Sequence, residues 1–310
     1  MTGWNAGDIP DQGGRTAVVT GANSGIGYVT ARELARKGAR VVLACRSEAR
    51  GSEAADRLRA EVPGAHVEFV RLDLGDLESV REFAATYERG YDRLDLLINN
   101  AGVMALPYGL TADGFETQFG VNHLGHFALT GLLLPALLGT PGARVVTVSS
   151  FMHALANIDI RDLNSKRQYR RWIAYGRSKT ANLLFTHELA RRLAAIGSEV
   201  VAAAAHPGYA DTNLHTAGPR MTGHKGAERI TAFGARILSQ SAEAGALPTL
   251  YAATAPGVAP DSFTGPSFAM WRGSPARSRR TGWTLDDVAG ERLWEASEEL
   301  TGVSYDVLKA

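Results

Sequence analysis

The chain has 310 residues, 45% of them hydrophobic, with 33 basic against 32 acidic side chains and a net charge of +1. That length suits one large α/β domain with a sizeable core, and so even a charge balance gives no global field to recruit nucleic acid or a membrane. The lone cysteine, Cys45, excludes an intrachain disulfide, argues against a Cys-built metal site and fits a reducing cytoplasm.

Met1 to Gly14 is polar and lacks the basic and apolar regions of a signal peptide, so none is expected. Arg15–Thr20 reads as a strand that ends in a glycine turn. Gly25–Lys37 reads as a helix closed by Gly38. Strand Arg40–Cys45, helix Glu48–Ala60 and strand Val67–Val70 follow. Asp76 is placed to cap a third helix through Thr86. Leu94–Ile98 is a fourth strand, Thr111–Leu138 holds a long helix, and Arg144–Val148 is a fifth strand. Within that helix Phe127–Leu138 is the most apolar stretch. It is short for a membrane span and contains Pro135, so a buried helix is expected. The polar stretch Asp162–Arg171 is an insertion. Tyr175–Ala195 is again helical, Glu199–Ala204 is a sixth strand, and Met221–Leu238 forms a small helical lobe, within about residues 209–240. Ser262–Pro266 adds a last edge strand, and Arg272–Arg280 is a solvated loop. Near-continuous apolar strands alternating with helices imply a doubly wound, Rossmann-type parallel sheet of about seven strands with helices on both faces, all within one domain.

Three patterns carry chemistry. Gly21, Gly25 and Gly27, within Thr20-Gly-Ala-Asn-Ser-Gly-Ile-Gly27, follow the first strand and open the first helix. Gly21 allows a tight turn, Gly25 lets backbone approach a pyrophosphate, and Gly27 lets the helix pack on the sheet. The helix start adds free N–H groups and positive dipole. Asn23, Ser24 and Ile26 belong to the same loop. The second strand ends Ala44-Cys45-Arg46-Ser47, with no carboxylate for a ribose 2′-hydroxyl. Arg46 and Ser47 can pair with a 2′-phosphate instead, so NADP(H) is expected over NAD(H). The alternative is that Arg46 is only a loop charge. Tyr175 and Lys179, four apart, share one helix face, where an ammonium would draw the phenol pKa down from its usual value of about 10. No helical HxxxH pair occurs among the histidines, and no metal is expected.

These motifs, with Asn99-Asn100-Ala101-Gly102, Val148-Ser149-Ser150 and His206-Pro207-Gly208, stand in the order and rough spacing of the short-chain dehydrogenase/reductases. Ala44-Cys45-Arg46, Val121-Asn-His-Leu-Gly-His-Phe127 and Ser178-Lys-Thr-Ala-Asn-Leu-Leu-Phe185 resemble the retinol dehydrogenase-like group. The resemblance implies that Ser150, with Ser149 as the competing assignment, holds the substrate oxygen. Tyr175 then exchanges its proton, while Lys179 depresses the tyrosine pKa and bonds the nicotinamide ribose. Asn122 holds a water linking Lys179 to solvent. Asp73, in Leu72-Asp73-Leu74, contacts the adenine; Asn99, Ala101 and Gly102 line the cofactor; Pro207 and Gly208 shape the nicotinamide pocket, with Thr212 near its carboxamide. Each has a plainer structural reading: Asp73 starts a turn, the paired asparagines satisfy strand-end backbone, and Asn122 makes a bond inside the helix.

The function implied is NADP(H)-dependent interconversion of a carbonyl and an alcohol on a small to medium lipophilic substrate. Met104, Phe151, Met152, Trp172 and Tyr209 are candidates for its apolar pocket. The competing readings are a C=C reductase of the same superfamily, an NADP(H)-sensing protein without turnover, and a scaffold. No nucleic-acid or membrane partner is expected, and the two long helices are compatible with a homodimer or homotetramer.

Overall fold

The structure, a computed structural model, describes residues 3–208 and 241–309. The lobe expected at 209–240 lies outside the described residues. In chain order the elements are β1 (Thr16–Thr20), α1 (Gly25–Arg36), β2 (Arg40–Cys45), α2 (Glu48–Glu61), β3 (Val67–Arg71), α3 (Leu77–Gly90), β4 (Leu96–Asn99), α4 (Thr117–Phe119), α5 (Gly125–Leu138), β5 (Arg144–Val148), α6 (Arg171–Ala195), β6 (Val201–Ala205), α7 (Ala242–Thr254), β7 (Phe263–Phe268), β8 (Arg272–Arg277) and α8 (Asp287–Thr301).

One eight-stranded sheet runs β3-β2-β1-β4-β5-β6-β7-β8, parallel through β7, with β8 antiparallel. Strands buried on both faces explain the unbroken apolar runs Ala17–Val19 and Val41–Cys45. Alternate residues feed two cores. Val18, Val42, Leu97 and Val145 pack under α3, α5, α6 and α8; Val19, Leu43, Ile98 and Val146 pack under α1, α2 and α7. The strand order switches direction between β1 and β4, opening the crevice at the strands' carboxyl ends where doubly wound sheets take their ligands.

Three expectations need correction. Ser262–Pro266 is not the edge of the sheet: β7 is covered by β8, which occupies the stretch expected as a loop. Gly273 and Pro275 hide β8 from a propensity reading, and Pro is tolerated there because β8 is itself the edge strand. The long helix begins at Thr117. Thr111–Phe115 instead close on themselves through Thr111 N–H to Phe115 O (2.8 Å) and Phe115 N–H to Thr111 Oγ1 (3.1 Å), and the Glu116 carboxylate caps the N–H groups of Gln118 and Phe119. A π turn at Gly120–Leu124 joins α4 to α5, so Thr117–Leu138 makes 22 helical residues of mean hydropathy 1.3. By length and composition that exceeds the short run expected, and the helix is packed into the core against α3 and α6.

Candidate active site

The glycine turn sits at the carboxyl end of β1. Gly21 has φ +66°, and a Cβ there would come within 3.0 Å of Ala101. At Gly27 a Cβ would lie 2.5 Å from Gly21 O and from Asn100 Nδ2, so turn, α1 and the β4 loop fit only because position 27 has no side chain. Ser24 is the N-cap of α1, yet its hydroxyl makes no capping bond. Asn23, Ser24 and Ile26 thus surround a helix start with free N–H donors, a donor set suited to a pyrophosphate. At the end of β2, the Arg46 side chain is largely exposed, 4.0 Å from Asp73 Oδ2, and Ser47 caps α2 by accepting from Arg50 N–H (3.5 Å). Arg46 and a second helix start therefore face the same exposed corner. Asp73 Oδ1 accepts from Gly75 N–H (3.0 Å), the turn-starting contact, while Leu74 is buried against Gly125.

Asn99 is fully buried. Its amide donates to Thr130 Oγ1 (3.0 Å) and its Oδ1 has no partner among the described residues, so its side chain holds β4 to α5. Ala101 abuts Gly21. At Gly102 a Cβ would lie 3.1 Å from Asn122 Oδ1 and 3.5 Å from Lys179 Nζ, so three separate segments converge on one small space. Gly208 donates its N–H to the His206 ring (3.2 Å), beside Pro207. Thr212 and Tyr209 lie outside the described residues.

The two serines diverge. Ser149 Oγ donates to the Lys179 carbonyl (2.8 Å) and is spent on helix backbone. Ser150 caps the turn Phe151–Leu155, accepting from Met152 N–H (3.2 Å), and its hydroxyl lies close enough to that of Tyr175 to lower the phenol pKa. Of the pair, Ser150 is the one facing the phenol. Met104, Ala105, Met152 and Tyr175 form a small apolar cluster around that phenol.

Lys179 lies on the Tyr175 face of α6, its Nζ 5.8 Å from the ring centroid. Its ammonium donates to Val148 O (3.0 Å). Burial pushes its pKa down to about 8. Burial also pushes Tyr175 up to about 12, against the smaller lowering effect of Ser150. The net shift of the phenol in this structure is therefore upward, opposite in sign to the depression expected from the ammonium. The shared helix face is correct, but desolvation outweighs a cation aimed at a strand carbonyl.

Asn122, in the π turn, uses Oδ1 to accept from Val103 N–H (2.7 Å) and Nδ2 to donate to Val103 O and Ser178 Oγ (both 2.9 Å). Both amide donors are spent, so the side chain clamps the wall of the site, and the expected water is not held by the NH2 group. Behind it runs a buried chain. His126 Nδ1 faces the Asn122 carbonyl (3.0 Å), which can only accept, so Nε2 accepts from Thr20 Oγ1 (2.9 Å). Thr20 Oγ1 in turn accepts the N–H groups of Asn100 and Ala101 (both 2.9 Å). Burial lowers His126 to about 4, keeping it neutral. Gln118, which holds Ala105 N–H (2.7 Å), was missing from the sequence reading, where its only signal was a polar side chain beside apolar ones. Thr20, His126 and Ser178 lay inside the quoted motifs without a role assigned to them.

The family profile described as short chain dehydrogenase matches residues 15–221. Retinol dehydrogenase 12 of Mus musculus is 43% identical over 300 residues, covering 94% of this chain and 88% of its own. A crystal structure of an uncharacterized protein from Mycobacterium Paratuberculosis is 48% identical, with TM-score 0.81 over 98% of this chain and 99% of that one. A short chain dehydrogenase from Escherichia coli CFT073 complexed with NADPH is 25% identical, with TM-score 0.62 over 83% and 97%. The glycine cradle, the two helix starts and these likenesses agree: the chain belongs to the short-chain dehydrogenase family, in its retinol dehydrogenase-like group, as an oxidoreductase that works with a nicotinamide cofactor.

Proposed function

We propose that the protein is an NADP(H)-dependent reductase of lipophilic carbonyl compounds, with Tyr175 as the acid. The observation that carries this reading is the meeting of the Ser150 and Tyr175 hydroxyls beside the Lys179 ammonium, at the carboxyl edge of the sheet. The α1 start with Asn23, Ser24 and Ile26 would hold the pyrophosphate. Arg46, Ser47 and the α2 start would hold the 2′-phosphate, Asp73 and Leu74 would border the adenine, and Gly102 and Lys179 the nicotinamide ribose, with Ala101, Pro207, Gly208 and Thr212 around the ring. When bound, the nicotinamide supplies the hydride that reduces the carbonyl carbon. Charge then builds on the carbonyl oxygen, where Ser150 and Tyr175 each offer an O–H donor. Tyr175 gives up its proton as the C–O bond becomes an alcohol, and the Lys179 ammonium lowers the cost of the phenolate left behind.

Consumption of NADPH and of NADH with a panel of aldehydes and ketones, including retinal as the aldehyde of the retinol in the relatives' names, tests the reading. Tyr175→Phe should lower kcat by about 10³ with NADPH affinity retained. Arg46→Ala should raise the KM for NADPH by roughly ten- to a hundredfold and leave that for NADH alone. An unaltered Tyr175→Phe rate, or a native preference for NADH, contradicts it.

A further inference from the structure

We propose that the β7–β8 hairpin tip, through Phe268, Met270 and Trp271, is the outer wall of the substrate site and selects for long apolar substrate tails. Three observations support this. The first is position. Val148 of β5, Ala205 of β6 and Thr264 of β7 stand in one row across the sheet. Ser150 lies just past that row, while β7 continues from Gly265 to Phe268, about 13 Å further at ~3.3 Å per residue, on the same carboxyl side. The second is continuity. Tyr175 packs in the cluster with Met104 and Met152; Phe151, between Ser150 and Met152, stacks with Trp271 at 6.4 Å between ring centroids. Apolar surface thus runs from the reacting hydroxyl to the tip, where Phe268 is 65% and Met270 37% exposed.

The third is strain. Trp271 N–H closes the turn on Phe268 O (2.8 Å), and the two residues between, Ala269 and Met270, have φ of +50° and +60°. Glycine or asparagine is at ease there, whereas alanine and methionine are strained in that region. A large thioether held in that conformation at an exposed tip is a cost that stability does not explain and that a binding role does. Methionine also adapts its shape to varied apolar surfaces. The tail of a bound substrate would bury these side chains at about 0.8 kcal/mol per methylene, so a few methylenes suffice to discriminate tenfold.

The inference rests on the reductase reading, and its test separates the two. With NADPH, the ratio of kcat/KM for dodecanal over butanal should fall about tenfold in Phe268→Ser and in Trp271→Ala. In Met270→Gly the same ratio should fall while the melting temperature holds or rises, because the turn relaxes. A contact of purely structural value would move both measures together. Ala269→Gly should raise the melting temperature without changing the ratio. Binding of dodecanol to the native enzyme and these variants, followed calorimetrically, needs no turnover. If no aldehyde is reduced yet dodecanol binding weakens in the tip variants, the reductase reading fails and the hairpin assignment stands. Equal losses for both aldehydes, no loss for either, or a tip variant that only dissociates a dimer would overturn it.

Discussion

Lys179 shows what one residue costs and does. Among the described residues its buried charge has one hydrogen-bond partner, Val148 O, an acceptor Asn182 also uses (3.1 Å). A pKa lowered from 10.5 to about 8 corresponds to roughly 3 kcal/mol of destabilisation at neutral pH. Between those values the unfolded chain binds the proton and the folded one does not, so stability gained by removing the lysine is full below pH 8 and gone above 10.5. Lys179→Met should therefore raise the melting temperature by a few degrees at pH 7, and by progressively less toward pH 10, while abolishing turnover; scanning calorimetry across pH checks this. In the native enzyme the same titration should make carbonyl reduction fall as pH rises through about 8, as the cation beside the phenol is lost.

Among elements, the π turn between α4 and α5 matters most. It sets Asn122 against Val103 and leaves its carbonyl to His126. The neutral imidazole thereby ties the catalytic wall to Thr20 at the glycine turn. His126→Leu leaves the Asn122 carbonyl and the Thr20 hydroxyl without this shared partner in a dry interior. The expected loss is about 2–3 kcal/mol in urea unfolding. NADPH affinity should weaken with it, since Thr20 Oγ1 orients the N–H groups under the turn. Unchanged NADPH binding in a destabilised variant would confine the histidine to packing.

Across the whole molecule, the far end of α6 is held to the C-terminal segments by charge. His187 lies between Asp261 Oδ2 (2.8 Å) and Asp287 Oδ1 (2.9 Å), and Arg280 also pairs with Asp261 (2.5 Å). The hydrogen bond that the imidazole donates to Asp261 leads the rise in the His187 pKa. A raised folded pKa contributes stability that is complete below the unfolded value of about 6.5 and lost as pH climbs through the folded one. His187→Gln should accordingly lower the melting temperature by a degree or two at pH 6 and by less at pH 8.5. An effect independent of pH would mean that the imidazole acts through packing alone.

What sequence determined here was local and repetitive. β2 and β5 begin and end where the apolar runs do, and Asp76 caps α3 as its spacing indicates, because strand burial and capping act over a few residues. The glycine turn was legible for the same reason. Tertiary structure alone decided which serine meets the phenol, since neighbouring residues of an extended segment point opposite ways and only the position of α6 distinguishes them. It decided β8, whose pairing with β7 offsets the poor strand propensity of Gly273 and Pro275. And it decided the proton affinities at the site, because desolvation depends on what the rest of the fold stacks around Tyr175 and Lys179, which no spacing between two residues encodes.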